Sequence, residues 1–588
     1  MVKQHIIDQL NKVISALTDQ AVTPHVDVPS LSEHGDYTTN IALALSKKIR
    51  KSPMEIAKEI ASSVERLAVS EIERVEVAGP GFINFWVSKE YLAKVAEKTL
   101  QEKETFGSGD LMKDEKVMVE FTDPNPFKEF HIGHLYSNIV GESLSRLFAS
   151  QAAIVRRVCY QGDVGLHVAK AIFGLIQKLQ STDDGLPSTV DSRQWTVDDL
   201  SDLEKKSLEE RIKFLGEAYA LGATKYEEDE EAKKEINALN KKIYAKDPSI
   251  LDLYEKGRAW SLEYFEKIYE RLGTKFTGYY FESKAGPIGV ELVKKHLQDG
   301  VFVEDQGAII FRGEDHGVHT RVFINSLGLP TYEAKELGLA PTKYNDFPYD
   351  LSVIVTGNEI NDYFKVLLKA LQLINPDLAA KTKHISHGMV KLPSGKMSSR
   401  SGNVLTGEWM VDEAKSKIKE KFPDISQEIA EMVAVGAVKY ALLKSHVGKD
   451  IEFDFQASIS LEGNSGPYIQ YTYARTQSVL AKAKSTDDSL QTTVDSRQGT
   501  VDLPEEAIAV LRIMQRFDEV VADATANYAP STIATYLYTL ATTFNYFYQK
   551  VPILDSEQKE SLLALTAATG QVLKNGLHLL GIKAPQRM

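Results

Sequence analysis

Residues 116–147 read KVMVEFTDPNPFKEFHIGHLYSNIVGESLSRL, and this stretch decides the fold. Val117, Val119 and Phe121 alternate as in a buried strand. A turn built on Pro124, Asn125 and Pro126 follows. From Ile132 onward, Leu135, Ile139, Leu144 and Leu147 take helical spacing. The tetrapeptide His131-Ile132-Gly133-His134 therefore stands where a first strand meets the first turn of a helix. In an α/β sheet that junction binds nucleotide phosphate, because unpaired backbone N–H groups and the positive end of the helix dipole meet there. The two imidazoles add donors to the same place. Gly133 removes a side chain, so a flat base can lie against the backbone.

A second segment, residues 393–403, reads PSGKMSSRSGN. Lys396-Met397-Ser398-Ser399-Arg400 lies between Gly395 and Gly402. Such a loop supplies cations and backbone donors to a polyphosphate in a transition state. In this order and spacing the two segments resemble the HIGH and KMSKS signatures of class I aminoacyl-tRNA synthetases. Pro124-Asn125-Pro126-Phe127-Lys128 resembles the arginyl-tRNA synthetase form of the first signature. So do Ala78-Gly79-Pro80-Gly81-Phe82-Ile83-Asn84-Phe85 and Gly466-Pro467-Tyr468-Ile469-Gln470-Tyr471 with Arg475. The tail, Asn575-Gly576-Leu577-His578-Leu579-Leu580-Gly581-Ile582 and then Pro585-Gln586-Arg587-Met588, is similar to that family's C-terminus. The resemblance runs along nearly the whole chain.

The resemblance implies an α/β fold class: a Rossmann-type parallel-sheet catalytic domain with a connective insertion, an N-terminal α/β domain and a C-terminal all-α anticodon-binding bundle. The expected boundaries are 1–107, 108–415 with a helical insertion around 165–300, and 425–588. It implies ATP-dependent ligation of L-arginine to tRNA(Arg) through an arginyl-adenylate, with release of AMP and pyrophosphate. Neither step demands an enzyme nucleophile, so positioning and charge stabilisation carry catalysis. By resemblance, the catalytic residues are His131, His134, Lys396 and Lys128, and ATP meets His131, Gly133, His134, Lys396, Met397, Ser398 and Ser399. Ser399 stands where the second lysine of KMSKS belongs, with Arg400 after it; Lys128 is placed by sequence to substitute. Mg²⁺ is expected with the ATP, held by phosphates and water, with no protein metal cage.

The substrate side chain is a planar guanidinium with five donors, which calls for carboxylates and amide oxygens. By resemblance it meets Glu120, Asn125, Tyr332, Glu336 and Asn361. The family usually has Asp at the position of Glu336, and often His or Gln at that of Asn361. The same resemblance assigns tRNA contacts to Phe82 and Asn84 at the elbow, and to Tyr468, Tyr471, Arg475, Tyr546 and Met588 in the C-terminal region. Unpaired bases are read by stacking and edge hydrogen bonds, which suits these side chains.

Composition is compatible with this picture. The 588 residues carry a net charge of −13, which leaves room for local basic faces such as Lys47, Lys48, Arg50, Lys51 and Lys58. One cysteine, Cys159, excludes an internal disulfide and fits a reducing compartment. No apolar run reaches membrane-spanning length, so a soluble, cytoplasmic, monomeric protein is expected. Residues 181–198 and 485–502 match at 14 of 18 positions, and both are polar and rich in turn formers. They read as tolerated surface insertions. The competing readings are another class I synthetase, a smaller HIGH-type nucleotidyltransferase, and a non-catalytic tRNA-binding descendant. The length argues against the second, and intact His131, Gly133, His134 and Lys396 against the third.

Overall fold

A computed structural model of the chain describes residues 2–19, 21–66, 70–180, 197–392, 405–486 and 503–588. Lys396–Arg400 and most of both near-repeats lie outside the described residues. The chain divides into two compact units, one of residues 112–459 and one of residues 1–111 with 460–588.

The larger unit is built on a five-stranded parallel sheet. Its strands are β1 (Lys116–Glu120), β2 (Ile154–Gln161), β3 (Gly278–Phe281), β4 (Leu351–Gly357) and β5 (Thr382–His387), in the order β5-β4-β1-β2-β3. The apolar run of β1 is buried from Val117 to Glu120, as expected of a central strand covered on both faces. The chain leaves β1 toward β2 on one side and returns to β4 on the other. A crevice therefore opens at the carboxyl ends of β1 and β4, the usual ligand position in such sheets.

Helix α1 (Ile132–Ser150) starts at that crevice and packs on β1, β2 and β4. Helix α2 (Leu166–Gln180) follows β2. The charged stretch expected to be a helical insertion contains helices Val197–Glu204, Leu208–Glu228, Glu230–Ala245 and α3 (Pro248–Leu272). Their ends follow local chemistry. A Ser207/Glu210 capping box starts the second, Asp247 caps α3 with Pro248 at its first position, and Gly273 in the left-handed region (φ 69°) ends it.

Two further helices close the unit's reactive side, α4 (Glu282–Lys295) after β3 and α5 (Tyr332–Asp346) before β4. A small antiparallel sheet, Val303–Asp305, Ala308–Phe311 and Arg321–Ile324, stands between them in sequence. Helix α6 (Asn361–Ile374) joins β4 to β5; α7 (Gly407–Lys421) and α8 (Gln427–Leu443) pack against α1 in the same unit.

The smaller unit joins the two ends of the chain. A three-stranded antiparallel sheet places Phe82–Val87 between Tyr37–Thr39 and Ile72–Ala78. Ile72–Ala78 and Phe82–Val87 form a hairpin, turned at Gly79-Pro80-Gly81. Helices Gly466–Thr486, Glu505–Met514, Phe517–Ala526, Pro530–Lys550 and Lys559–Leu579 form its C-terminal part. The parts meet through Phe106 stacked on Phe517 and through Asn575, whose amide donates to the carbonyls of Lys103 and Phe106 at 2.8 and 3.0 Å.

Helices α4 and α5 lie backbone to backbone. A Cβ at Gly289 of α4 would fall 1.7 Å from the carbonyl oxygen of Ala334, and one at Gly338 of α5 would fall 2.4 Å from the Gly289 nitrogen. In an open helix, Gly→Ala gains about 1 kcal/mol from propensity. Here the methyl meets rigid backbone, and forcing the helices apart costs about 1–3 kcal/mol. Gly289→Ala is therefore expected to destabilise the protein in chemical denaturation; equal or greater stability would contradict the close packing.

Candidate active site

The N-terminus of α1 is built from the first signature. His131 is its N-cap in extended conformation, and its Nδ1 accepts from the backbone N–H of His134 at 3.4 Å. That bond assigns the ring proton of His131 to Nε2. The His131 and His134 rings stack with centroids 3.5 Å apart. Burial, then the nearby Lys128 and His387, push the His131 pKa down to about 4. Burial and His131 itself drive His134 well below the ordinary imidazole value. Both rings are therefore neutral at pH 7, single N–H donors rather than cations. Gly133 has a reason beyond the expected room for a base: a Cβ there would come within 2.9 Å of the His131 ring.

The turn before α1 is strained and tightly held. Thr122, Asp123 and Phe127 have φ of 82°, 45° and 67°, a region that non-glycine residues rarely occupy. Ser137 of α1 receives the Thr122 N–H at 2.9 Å and donates to the Val355 carbonyl of β4 at 2.8 Å. Phe127 N–H donates to Ser261 of α3 at 2.9 Å. Lys128 places its ammonium 4.6 Å from the centre of the Tyr219 ring. On the other side, Gly407 N–H donates to the Phe130 carbonyl at 2.7 Å, and Ile132 N–H to that of Leu405 at 3.3 Å. The residues just after the second signature are thus hydrogen-bonded to the first.

Beside this helix start lies a cluster of buried carboxyls. Glu120, 1% exposed, ends β1 and pairs with the buried ammonium of Lys343 on α5 at 2.6 Å. Glu336 lies two turns earlier on α5. Burial first, and then repulsion from Glu120, raise its carboxyl well above the usual range, and the same causes act on Asp123. Asp123 accepts the Tyr160 N–H of β2 at 2.7 Å. Glu282, at the start of α4, pairs with the buried Lys335 at 2.5 Å. Burial pulls Lys335 down, but Glu282 outweighs it and holds the ammonium above its ordinary value. Asp163, at the exit of β2, braces this side: it accepts from Arg258 at 3.0 Å and from Ser283 N–H at 2.8 Å. Among the described residues, Glu336 has no cation within ion-pair distance. The cluster can hold one planar cation.

Of the residues expected to touch the substrate side chain, the structure brings Glu120 and Glu336 into this cluster. Asn125 is half-buried in the strained turn; its carbonyl accepts the Lys128 N–H at 3.2 Å. Tyr332 opens α5, 54% exposed, with the Lys335 ammonium 4.8 Å from its ring centre. Asn361 opens α6 and makes no side-chain hydrogen bond among the described residues. Glu282, Asp123, Lys335 and Lys343 escaped the sequence reading. Their signal was the spacing Glu336/Lys343, seven residues apart on one helix face, but such pairs usually face solvent. His387, at the end of β5 with its ring 4.4 Å from that of Tyr136, was missed as well.

In the smaller unit, Phe82 is at the surface, whereas Asn84 is 4% exposed and its side-chain oxygen accepts from Thr38 at 2.7 Å. The Asn84 oxygen is thus engaged within the sheet. The Tyr468 hydroxyl accepts from Asn545 at 3.0 Å, and Arg475 donates to the same amide. The Arg475 guanidinium lies 4.9 and 5.0 Å from the ring centres of Tyr471 and Tyr548. Tyr546 and Met588 are exposed. Lys396, Met397, Ser398 and Ser399 lie outside the described residues.

Comparison with known proteins adds an independent line. Residues 95–455 match the model of the class I tRNA synthetase (R) catalytic domain, residues 1–87 the arginyl tRNA synthetase N terminal domain, and residues 469–588 the DALR anticodon binding domain. The chain is 31% identical over 595 residues to an arginine–tRNA ligase of Streptococcus pneumoniae, covering 100% of both chains. It is 30% identical over 600 residues to one of Halothermothrix orenii, covering 100% of this chain and 99% of that one. The chain belongs to the arginyl-tRNA synthetase family. Its fold is also that of the arginyl-tRNA synthetase of Thermus thermophilus, with a TM-score of 0.78, 24% identity and full coverage of both chains. Among the described residues of this synthetase, no helix is long and apolar enough to cross a membrane.

Neutral imidazoles are a measurable property of this site. An NMR titration of the ligand-free synthetase is expected to give His131 a pKa of about 4, with its proton on Nε2 at pH 7. A value near 6.5 would contradict the burial described above.

Proposed function

We propose residue roles for the two steps this synthetase carries out. The chain ligates L-arginine to tRNA(Arg) using ATP, through an arginyl-adenylate, and releases pyrophosphate and AMP. In the first step the arginine carboxylate attacks the α-phosphorus of ATP; a carboxyl O–P bond forms as the P–O bond to pyrophosphate breaks. In the second, a ribose hydroxyl at the tRNA terminus takes the acyl group and AMP leaves.

The observation that carries the reading is the juxtaposition of the α1 start with the carboxyl cluster. ATP phosphates would lie at the start of α1, where the Gly133 N–H and the positive end of the helix dipole meet them, with the Nε2–H of His131 and a ring N–H of His134 as further donors. Being neutral, the imidazoles need not deprotonate or move to serve as donors. Gly133 lets the nucleotide approach the backbone. Lys396 would meet the charge developing on pyrophosphate, with Met397, Ser398 and Ser399 lining the nucleotide. Lys128 would supply the cation that Ser399 lacks; the electrostatic effect of its ammonium on His131 and His134 supports its nearness to the phosphates. Mg²⁺ would travel with the ATP, coordinated by phosphates and water. The guanidinium would sit against Glu336, with Glu120 and Glu282 behind it and Asn125, Tyr332 and Asn361 at the rim.

In the smaller unit, residues 1–107 would meet the tRNA elbow through exposed Phe82. The helices from 466 onward would read the anticodon loop through Tyr468, Tyr471, Arg475, Tyr546 and Met588. Arg475, already flanked by two tyrosine rings, offers a stacking surface for an unpaired base. The same reading makes the protein a cytoplasmic monomer; its one thiol, Cys159, is buried and unpaired.

Arginine-dependent pyrophosphate exchange, run with each amino acid and with or without tRNA, tests the assignment. His131→Ala and His134→Ala are each expected to lower the rate about 10²–10³-fold, with arginine KM little changed, as for loss of one transition-state donor. Lys128→Ala is expected to be similarly damaging, and Ser399→Lys in that background to restore part of the rate. Near-normal exchange in the histidine variants would overturn the phosphate site, and in Lys128→Ala the compensation.

A further inference from the structure

Two phenol hydroxyls are buried at the carboxyl cluster with nothing to bond. Among the described residues, neither the Tyr160 nor the Tyr363 hydroxyl has a hydrogen-bond partner, and Tyr160 as a whole is 6% exposed. Buried polar groups are nearly always satisfied, so two such hydroxyls beside one cluster call for an explanation.

Their positions are fixed by the fold. Glu120 of β1 pairs in register with Val158 of β2, which places Tyr160 two residues further toward the carboxyl end of the sheet. Its ring packs against Ala285 of α4 and Leu339 of α5. Those residues follow Glu282 and Glu336 by three positions, one helical turn, so the phenol stands close to both carboxyls. Tyr363 comes from the other side of β1, in the first turn of α6 after β4. Burial first, and then repulsion from Glu336, Glu282 and Glu120, keep both hydroxyls protonated. A protonated phenol oxygen keeps a lone pair with which to accept an N–H.

The counts of charge and donors agree. Lys343 and Lys335 already neutralise Glu120 and Glu282. Among the described residues Glu336 and Asp123 are left without a cation; Asp123 already accepts the Tyr160 N–H, and the two oxygens of Glu336 can accept two N–H groups of a guanidinium. That group has five donors in one plane and needs acceptors on more than one edge. An alkylammonium presents its three donors at a point and cannot reach both sides of β1 together. We propose that Tyr160 and Tyr363 are specificity-determining residues of the amino-acid site, their hydroxyl oxygens completing the ring of acceptors around the substrate guanidinium. This rests on the reading of the carboxyl cluster as the arginine site.

Tyr160→Phe and Tyr363→Phe remove one oxygen each and keep the ring. In pyrophosphate exchange with tRNA present, each is expected to raise the arginine KM about tenfold, the effect of one lost hydrogen bond to a charged group. The KM for ATP should stay near the wild-type value and kcat should fall far less than the arginine KM rises. Discrimination against lysine should weaken. Glu336→Gln is run in parallel. An unchanged arginine KM in both tyrosine variants, with a large rise in Glu336→Gln, would overturn the role of the phenols while leaving the arginine site in place. An unchanged KM in Glu336→Gln as well would overturn the site and the inference together. A parallel loss in the ATP KM, kcat and melting temperature would mark the tyrosines as merely structural and also overturn the proposal.

Discussion

Everything at the reactive end of the sheet depends on the buried pair of Glu120 and Lys343. An isolated buried carboxylate would take up a proton or unfold its surroundings. Lys343 reaches Glu120 from α5 at 2.6 Å, and removing either partner of such a pair costs about 3–5 kcal/mol. The pair ties the central strand to α5. In turn α5 lies backbone to backbone on α4, which brings Lys335 to Glu282 and makes a second buried pair. Two lysines thus fix Glu120 and Glu282 at one place, and Glu336 is carried on α5 between Lys335 and Lys343 without a cation of its own among the described residues.

The phosphate side obeys a different constraint. There the backbone, not the side-chain charge, is strained: three residues with positive φ occur within six positions, held by Ser137, Ser261 and Asp123. Such strain persists because the surroundings over-determine it. Its product is a helix that starts at the carboxyl end of β1 and is capped by His131. The imidazoles that cap it are neutral by burial, so they add directed donors without adding to the charge of the site. Cation recognition and anion recognition thus sit side by side, as joining an amino acid to a nucleotide requires.

Much of this was legible in the sequence because it is local. The alternation of Val117 and Val119 marked β1, and the spacing from Ile132 marked α1, which starts at that residue. The helical insertion was expected around 165–300, and the structure bounds its helices with local chemistry at Ser207, Asp247 and Gly273. What escaped was non-local. Lys343, Glu282, Tyr160 and Tyr363 come from α5, α4, β2 and α6, and each reads in isolation as an ordinary amphipathic or core residue. The sheet order alone puts them around Glu120. Asn84, a candidate tRNA contact by resemblance, has a hydrogen bond to Thr38 that its sequence position near a turn did not announce.

The central claim is that the cation of the substrate is received by Glu336 while Lys343 and Lys335 keep Glu120 and Glu282. A crystal structure with L-arginine bound tests it most directly. The account predicts guanidinium nitrogens at about 2.7–2.9 Å from the Glu336 carboxylate, as in charge-assisted pairs, with both lysine–glutamate pairs intact. A guanidinium that displaces Lys343 from Glu120, or that binds away from Glu336, would contradict it.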